Sequence, residues 1–211
     1  GYDYLMQGET GFMHITGEPD GPPTRMGLSI VDWTTGLTNM LGLVSSILSA
    51  RDTGKGRDID VSLFDTALFQ TSYPAVWYLN ETYKTSRTPR SAHPVLVPSQ
   101  LYTAKDGWIY IMGMTEKFWN TIIKEINRSE LGEDKRFIDF DARLSNREQL
   151  TQILDSAFAE KTISDWMDIF AGKIPIGPVY DLDQALDNPF VKERGMIQKY
   201  NHPKEDVYDS N

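Results

Sequence analysis

The chain has 211 residues, of which 40% are hydrophobic and 24% charged, a composition typical of a globular protein that can bury a core. It contains no cysteine, which excludes disulfides, cysteine-ligated zinc or iron–sulfur sites and thiol catalysis. Its net charge of -9 argues against a nucleic-acid partner, and its most apolar stretch, at residues 41–48, is too short to span a membrane.

The start of the chain gives a first expectation about its origin. Gly1 leads directly into structured-looking sequence, with neither an initiator methionine nor the basic segment that begins a signal peptide. We therefore expect the chain to begin inside a longer protein. The lack of cysteine, together with the lack of a signal peptide, favours a cytoplasmic location.

The first predicted elements are a helix and a loop. Residues 2–15 have apolar side chains at helical spacing, although Gly8 and Gly11 weaken the helix. Residues 17–23 are rich in glycine and proline, which cannot sustain a helix or a central strand, so a turn-rich loop is expected there.

The strongest helix prediction begins at Asp32, which we expect to be the N-cap. The helix is predicted to stop at residues 52–56, where Gly54 can adopt the left-handed conformation of a C-cap. Six apolar residues recur between these ends at helical spacing: Leu37, Met40, Leu41, Val44, Ile47 and Leu48. The pattern predicts an apolar face that needs a packing partner.

The rest of the chain predicts a smaller mixed region after a connector. Another apolar segment runs over residues 60–79, and residues 80–98 are polar, partly basic and rich in turn formers. Beyond them the pattern predicts a hairpin turning at Ala104-Lys-Asp-Gly107, helices at residues 116–126, 146–160 and 162–171, a strand at residues 175–179, a short helix at 182–185 and an exit strand at 196–200. This order indicates an α/β or α+β protein with a break near residues 80–98.

Common functional motifs are missing. The histidines lie far apart and have no partner at metal-binding spacing, so we expect no metal site: they are His14, His93 and His202. Gly54-Lys55 lacks the hydroxyl residue and the first glycine of a phosphate-binding loop, and a helix stop explains it better. Four aromatic residues fit core packing better than a stacking surface: Trp108, Tyr110, Trp119 and Trp166.

Longer motifs carry a family resemblance. They are Gly1-Tyr-Asp3 with Gln7, Gly11-Phe-Met13, Thr16-Gly-Glu-Pro-Asp-Gly-Pro-Pro23, Asp32-Trp-Thr-Thr-Gly36, Thr53-Gly-Lys-Gly-Arg-Asp-Ile-Asp-Val-Ser-Leu-Phe-Asp65, Asp139-Phe-Asp-Ala-Arg143, Ile176-Gly-Pro-Val179 and Asn188-Pro-Phe-Val191. With them the whole chain resembles the class III CoA-transferases, the family of formyl-CoA:oxalate and carnitine CoA-transferases. Alpha-methylacyl-CoA racemase shares that fold.

The resemblance implies an α/β fold, a domain order and an assembly. Residues 1–80 would be the C-terminal part of a large CoA-binding and catalytic domain, helical here, whose Rossmann-like N-terminal half is absent. Residues 81–98 would be a connector, residues 99–195 a small α+β domain, and residues 196–211 a return segment toward the large domain. Two such chains would interlock as a homodimer, with no permanently bound cofactor and with acyl-CoA and a small carboxylic acid as substrates.

The resemblance also implies a nucleophile, because Asp32 occupies the position of the family's catalytic aspartate in the pattern D-x-x-x-G. A carboxylate at a helix N-terminus is favoured as an anion, and an anion can attack an acyl-CoA thioester to form a mixed anhydride. The released CoA thiolate would then form an aspartyl-CoA thioester that the acceptor acid resolves. Gly36 would leave room for an oxyanion site nearby.

Tyr2, Asp3 and Gln7 match a family segment that lines the thiol end of CoA and the acyl pocket, so the resemblance implies that they bind CoA or substrate. Tyr2 also distinguishes two activities. Racemases of this fold have a histidine at that position to exchange the alpha proton, and tyrosine, whose ordinary pKa is about 10, is a poor replacement.

Two alternatives to a transferase remain open: an acyl-CoA racemase or epimerase, and a truncated, catalytically silent homologue. A departure from the family lies at residues 90–94, where members often carry Gly-Asn before the His-Pro pair. Ser91-Ala-His93-Pro94 keeps His-Pro and lacks Gly-Asn, which leaves substrate preference open.

Overall fold

A computed structural model describes the backbone of residues 1–202 and 205–210 and the side chains of residues 1–199. The chain divides into two compact units, Gly1–Val95 and Leu96–Asn211, called the N-terminal unit and the C-terminal unit below. Helices and a small antiparallel sheet make it an α/β protein, as the sequence predicts. The roles that the resemblance implies for individual segments stay predictions.

The N-terminal unit is helical in its described elements. These are α1 (Asp3–Glu9), α2 (Phe12–Ile15), α3 (Ile30–Thr53), α4 (Leu63–Gln70) and α5 (Ser72–Glu81), with a 3-10 turn at Pro89–Ser91. The single helix predicted over residues 2–15 is wrong, because Gly11 has a φ of 89° and divides it. Glycine has no Cβ, so it can adopt this left-handed conformation without strain.

Helix α3 corrects the predicted N-cap. It begins at Ile30 with Ser29 as the N-cap, so Asp32 lies inside the first turn and does not cap the helix. Its other end is as predicted: the helix stops at Thr53, and Gly54 has a φ of 69° and donates its backbone N–H to the carbonyl of Ala50.

The apolar residues of α3 are largely exposed. The six that recur at helical spacing are between 46% and 70% exposed. The core of this unit is small and consists of Phe12, Val31 and Ala67, with a few half-buried neighbours. In the part of the chain that the structure describes, no helix has the length and apolar character needed to cross a membrane.

The C-terminal unit contains a three-stranded antiparallel sheet and short helices. Its described elements are β1 (Ser99–Ala104), β2 (Gly107–Met112), α6 (Glu116–Glu125), a 3-10 turn at Ser129–Gly132, α7 (Phe140–Ser145), α8 (Arg147–Phe158), α9 (Ile163–Phe170), β3 (Ile176–Pro178), α10 (Leu182–Leu186), α11 (Pro189–Glu193), β4 (Gln198–His202) and β5 (Glu205–Ser210). Strands β1 and β2 pair from Ser99↔Met112 to Ala104↔Gly107, which confirms the hairpin. The predicted exit strand corresponds to β4, which pairs with β5.

A continuous core holds the C-terminal unit together. It includes Trp119 and Trp166, each 1% exposed, which confirms their predicted packing, whereas Trp108 is 43% exposed and that prediction was wrong. The cause is strand geometry: neighbouring side chains on β2 point to opposite faces, and Ile109 and Ile111 take the buried face.

A buried cation links three segments of this unit. The guanidinium of Arg143, in α7, is fully buried and donates to the carbonyls of Val97 and Phe137 at 3.1 and 2.9 Å. It also pairs with the carboxylate of Glu116 and lies over the ring of Trp119. The arginine of the Asp139–Arg143 motif therefore has a structural role here, since it satisfies buried carbonyls.

Candidate active site

The candidate site is centred on Asp32 in the first turn of α3. Asp32 is exposed, and its carboxylate makes no hydrogen bond or ion pair with any residue that the structure describes. The N-terminus of a helix carries a partial positive charge from its aligned peptide dipoles, which favours a negative charge there. Asp32 is therefore an exposed carboxylate, without a partner in the described chain, in an electrostatically favourable position.

Asp3 and Gln7, both in α1, hydrogen-bond to the start of α3 and to the segment before it. The backbone N–H of Asp32 donates to Oδ2 of Asp3 at 2.9 Å, and Oδ1 of Asp3 accepts from Nε2 of Gln7 at 2.7 Å. Gln7 also accepts from the backbone N–H of Met26 at 2.9 Å and donates to the carbonyl of Leu28 at 3.3 Å. Both side chains are buried, at 5% and 0% exposure, so this network fixes the approach to α3 and its first turn.

The network brings together three of the four predicted site residues. Tyr2 lies outside it, and its side chain is 78% exposed at the N-cap of α1. Gly36 lies one turn after Asp32 on the same side of α3, and a Cβ built on it would meet no atom within 4 Å. The helix surface around Asp32 is therefore open.

The segment that departs from the family pattern has unusual backbone conformations. Arg90 and Ser91 have φ values of 58° and 51°, in the left-handed region that glycine and asparagine tolerate best. The Gly-Asn that family members often carry before His-Pro suits this geometry. Here the backbone N–H of Arg90 donates to both carboxylate oxygens of Glu18, at 2.9 and 3.1 Å, which helps to hold the turn.

Sequence reasoning missed Arg87, which organises the turn-rich loop at residues 17–23. Its Nη1 donates to the carbonyl oxygens of Glu18, Gly21 and Pro22. A signal was available, because the prolines of this loop have no backbone N–H, so its carbonyls need a donor from elsewhere. Nothing in the sequence indicated which cation would supply it.

No group of three or more histidine and acidic side chains that could hold a metal ion is found in the described part of the chain.

The sequence profile of CoA-transferase family III matches residues 1–210. The chain belongs to this family. Among curated members, the succinyl-CoA:glutarate CoA-transferase of Mus musculus is 32% identical over 204 residues, which are 96% of this chain and 47% of that protein. The acetyl-CoA:oxalate CoA-transferase of Acetobacter aceti is 32% identical over 201 residues, which are 94% of this chain and 51% of that protein. The chain thus spans about half the length of the curated family members it matches.

Solved structures agree with this membership. A CAIB/BAIF family protein from Brucella suis superposes with a TM-score of 0.81 at 28% identity, covering 99% of this chain and 58% of that one. Rv3272 from M. tuberculosis superposes with a TM-score of 0.86 at 23% identity, covering 100% of this chain and 55% of that one, which supports the fold alone.

Proposed function

We propose that this family III protein transfers coenzyme A from an acyl-CoA to a small carboxylic acid, with Asp32 as the nucleophile. The observation that carries the proposal is the state of Asp32: its backbone is held by Asp3, while its carboxylate is exposed and binds no described residue. A nucleophile needs this combination of a fixed position and unoccupied oxygens. The named activities of the relatives, which are succinyl-CoA:glutarate and acetyl-CoA:oxalate CoA transfer, support the same reaction class.

The proposed reaction proceeds through two kinds of adduct on Asp32. One carboxylate oxygen attacks the thioester carbonyl of the donor, the carbon–sulfur bond breaks, and CoA leaves as a thiolate from a mixed anhydride. The thiolate attacks the aspartyl carbonyl and expels the donor's carboxylate, giving an aspartyl-CoA thioester. The acceptor carboxylate then attacks this thioester, which breaks the carbon–sulfur bond, expels the CoA thiolate and forms a second anhydride. The thiolate attacks the acceptor's carbonyl in that anhydride, which releases the new acyl-CoA and the free Asp32 carboxylate.

Three further residues have proposed roles in binding. Tyr2 is exposed and can contact CoA or substrate directly. Asp3 and Gln7 are buried and hydrogen-bonded to each other and to the start of α3. We therefore propose that Asp3 and Gln7 contribute to binding indirectly, by fixing the first turn of α3, which carries Asp32.

The proposed assembly is an interlocked homodimer. Residues 1–80 would belong to the large domain, residues 81–98 would connect it to the small domain at 99–195, and residues 196–211 would return. The exposed apolar residues of α3 support this, since such a surface needs to be covered. A monomer of the complete protein in multi-angle light scattering at micromolar concentration would contradict it.

Chemical trapping tests the proposed nucleophile. The complete protein is incubated with an acyl-CoA donor and then with hydroxylamine, which converts an aspartyl anhydride or thioester into a hydroxamate. We expect peptide mass spectrometry to find this modification on Asp32. A protein that instead exchanges the alpha proton of an acyl-CoA for deuterium, without moving CoA, would favour the racemase, and one that does neither would favour the silent homologue.

A further inference from the structure

A cavity of about 290 Å³ lies within the N-terminal unit, between the end of α2, the start of α5 and the loop that follows α5. Among the described residues that line it, Arg87 is the one with a charge, and none is acidic. Asp32 does not line the cavity either, so this is not the place where acyl transfer is proposed to occur. In a chain whose net charge is -9, the cavity is a local positive site.

The guanidinium of Arg87 is held in place at one nitrogen. Nη1 donates to the carbonyl oxygens of Glu18, Gly21 and Pro22, at 3.0, 2.8 and 2.8 Å. The Glu18 carboxylate does not neutralise this cation, since both of its oxygens accept from the backbone N–H of Arg90. Arg87 is therefore half-buried, charged and fixed in orientation before any ligand arrives.

The other nitrogens of Arg87 remain available. Neither Nε nor Nη2 donates to any described residue, and no described carboxylate forms an ion pair with Arg87. Thr85 lines the same cavity, and its Oγ1 is buried without a hydrogen-bond partner in the described part of the chain. Ser86 and Tyr73 also line it, and neither hydroxyl bonds to a described residue. The wall thus offers a guanidinium fork and hydroxyl groups that no described residue uses.

A second cavity, of about 300 Å³, adjoins the first and shares Ile15, Pro74 and Thr85 with it. Lys84 lines this second cavity, is exposed and forms no ion pair with a described residue. Its lining, so far as the structure describes it, also contains no acidic residue. Positive charge therefore lies on both sides of Thr85, which favours an anionic ligand there.

We propose that Arg87 and Thr85 bind a phosphate group. The planar fork of a guanidinium fits either a carboxylate or a phosphate. Both oxygens of a carboxylate would accept from the fork, whereas a phosphate has a third oxygen that can accept from the buried Thr85 hydroxyl. The phosphate belongs either to a small free phosphate compound or to CoA, which carries one at the 3′ position of its ribose.

Calorimetric titration of the complete protein with sodium phosphate tests the site, with sodium chloride at equal ionic strength as the blank. Arg87→Gln should raise the Kd for phosphate by roughly tenfold or more, since a bidentate ionic contact is lost. Arg87→Lys keeps the charge but loses the planar fork, so its Kd should lie between those of wild type and Arg87→Gln. Arg57→Gln, at an exposed arginine outside the cavity, is the matched control and should leave the Kd unchanged.

Thr85→Val provides a second variant that leaves the carbonyl contacts of Arg87 intact, so the site remains testable if Arg87→Gln does not fold. It should raise the Kd for phosphate by roughly threefold or more, through the loss of one hydrogen bond. Phosphate binding that no variant at Arg87 or Thr85 weakens would overturn the inference, and so would heats that chloride reproduces. Acetate binding as tight as that of phosphate would also overturn it, because the site would then not recognise a third oxygen.

A second titration identifies the source of the phosphate. Inorganic phosphate is titrated in the presence of saturating CoA or of dephospho-CoA, which lacks the 3′-phosphate. Loss of phosphate binding with CoA but not with dephospho-CoA would show that CoA fills the site with its 3′-phosphate. Unchanged binding with both would show that the ligand is a free phosphate compound. Both outcomes keep the site and separate its two sources.

Discussion

The carboxylate of Asp3 accepts a hydrogen bond from the backbone N–H of Asp32, with 2.9 Å between Oδ2 and N. The N-cap residue of α3, Ser29, makes no side-chain capping bond, so Asp3 serves as the cap from another helix. This arrangement leaves the carboxylate of Asp32 without a structural task. The same helix terminus therefore gains a cap from α1 and presents its own acidic side chain to solvent.

Removing the Asp3 cap should weaken both the fold and the transfer reaction. Asp3→Ala takes away a buried acceptor, so we expect the free energy of unfolding to fall by about 1–2 kcal/mol in urea titrations. Because the first turn of α3 loses its anchor, kcat should fall by about tenfold or more. Asp20→Ala, which changes an exposed aspartate in the loop before α3, is the matched control and should alter neither quantity.

Replacing the nucleophile should abolish transfer and spare the fold. Asp32→Asn removes an anionic oxygen but no hydrogen bond seen in the structure, so CoA transfer should fall by several orders of magnitude. The free energy of unfolding should fall by no more than about 1 kcal/mol, through the lost interaction of the charge with the helix dipole. Asp32→Glu should also fail, because a displacement of about 1 Å disrupts the attack geometry. Asp52→Asn, in the last turn of the same helix, is the control. Substantial transfer by folded Asp32→Asn protein, with deamidation excluded, would refute the assignment.

Glycine should suit the unusual turn better than alanine. Arg90 has a left-handed backbone with a φ of 58°, which costs an L-residue roughly 1 kcal/mol and costs glycine little. Arg90→Gly and Arg90→Ala both remove the arginine side chain and keep the contact from the backbone N–H to Glu18, so the difference between them isolates the backbone. We expect the melting temperature of Arg90→Gly to exceed that of Arg90→Ala. At Arg57, an exposed arginine without a left-handed backbone, the order should be reversed, because glycine adds freedom to the unfolded chain. A higher melting temperature for the alanine variant at both positions would contradict the strain argument.

The two units should differ in their ability to fold separately. The C-terminal unit buries a continuous core that contains Trp119, Trp166 and Phe158, whereas the described core of the N-terminal unit is formed by Phe12, Val31 and Ala67. We expect residues 96–211 alone to unfold cooperatively in urea. Residues 1–95 alone should bind the dye ANS and show no cooperative transition, because the apolar surface of α3 lacks cover. Cooperative unfolding of both segments would show that the small core suffices.

Acid should weaken the C-terminal unit in part through Asp165, in the first turn of α9. The Thr162 hydroxyl and the Thr162 backbone N–H both donate to the Asp165 carboxylate, and they hold its pKa below the ordinary value of 3.8. The hydroxyl has the larger effect, and nearby lysines add to it. The folded state thus binds this proton more weakly than the unfolded state. Its contribution to stability is fully present above the unfolded pKa and is lost as pH falls through the lowered folded pKa.

Thr162→Val removes the hydroxyl and tests this linkage. The loss of stability in the variant, measured from urea midpoints, should be largest near neutral pH and should shrink as the pH falls below 3.8. Thr121→Val, at a half-buried threonine of α6 that donates to a backbone carbonyl, should show no such trend. A constant difference between Thr162→Val and wild type across the acid range would contradict the linkage.

Much of the local structure could be predicted because it depends on neighbouring residues. The hairpin turns at Lys105-Asp106 as its pattern indicates, and α3 stops at Gly54 where a left-handed residue was expected. The motifs around Asp32 also identified the candidate nucleophile. The predicted cap failed because sequence alone favours the nearest acidic residue, whereas the helix takes its cap from Asp3.

The sequence by itself determined the family, the helix that carries Asp32, the turn-rich loop and the hairpin, since each depends on motifs or on residues close together along the chain. Only the tertiary structure decided that Asp3 and Gln7 are buried beneath Asp32 and that Arg87 binds the turn-rich loop. Those contacts join residues 29 and more than 60 positions apart. Which distant donor meets which acceptor depends on how the helices pack, and local spacing carries no information about that geometry.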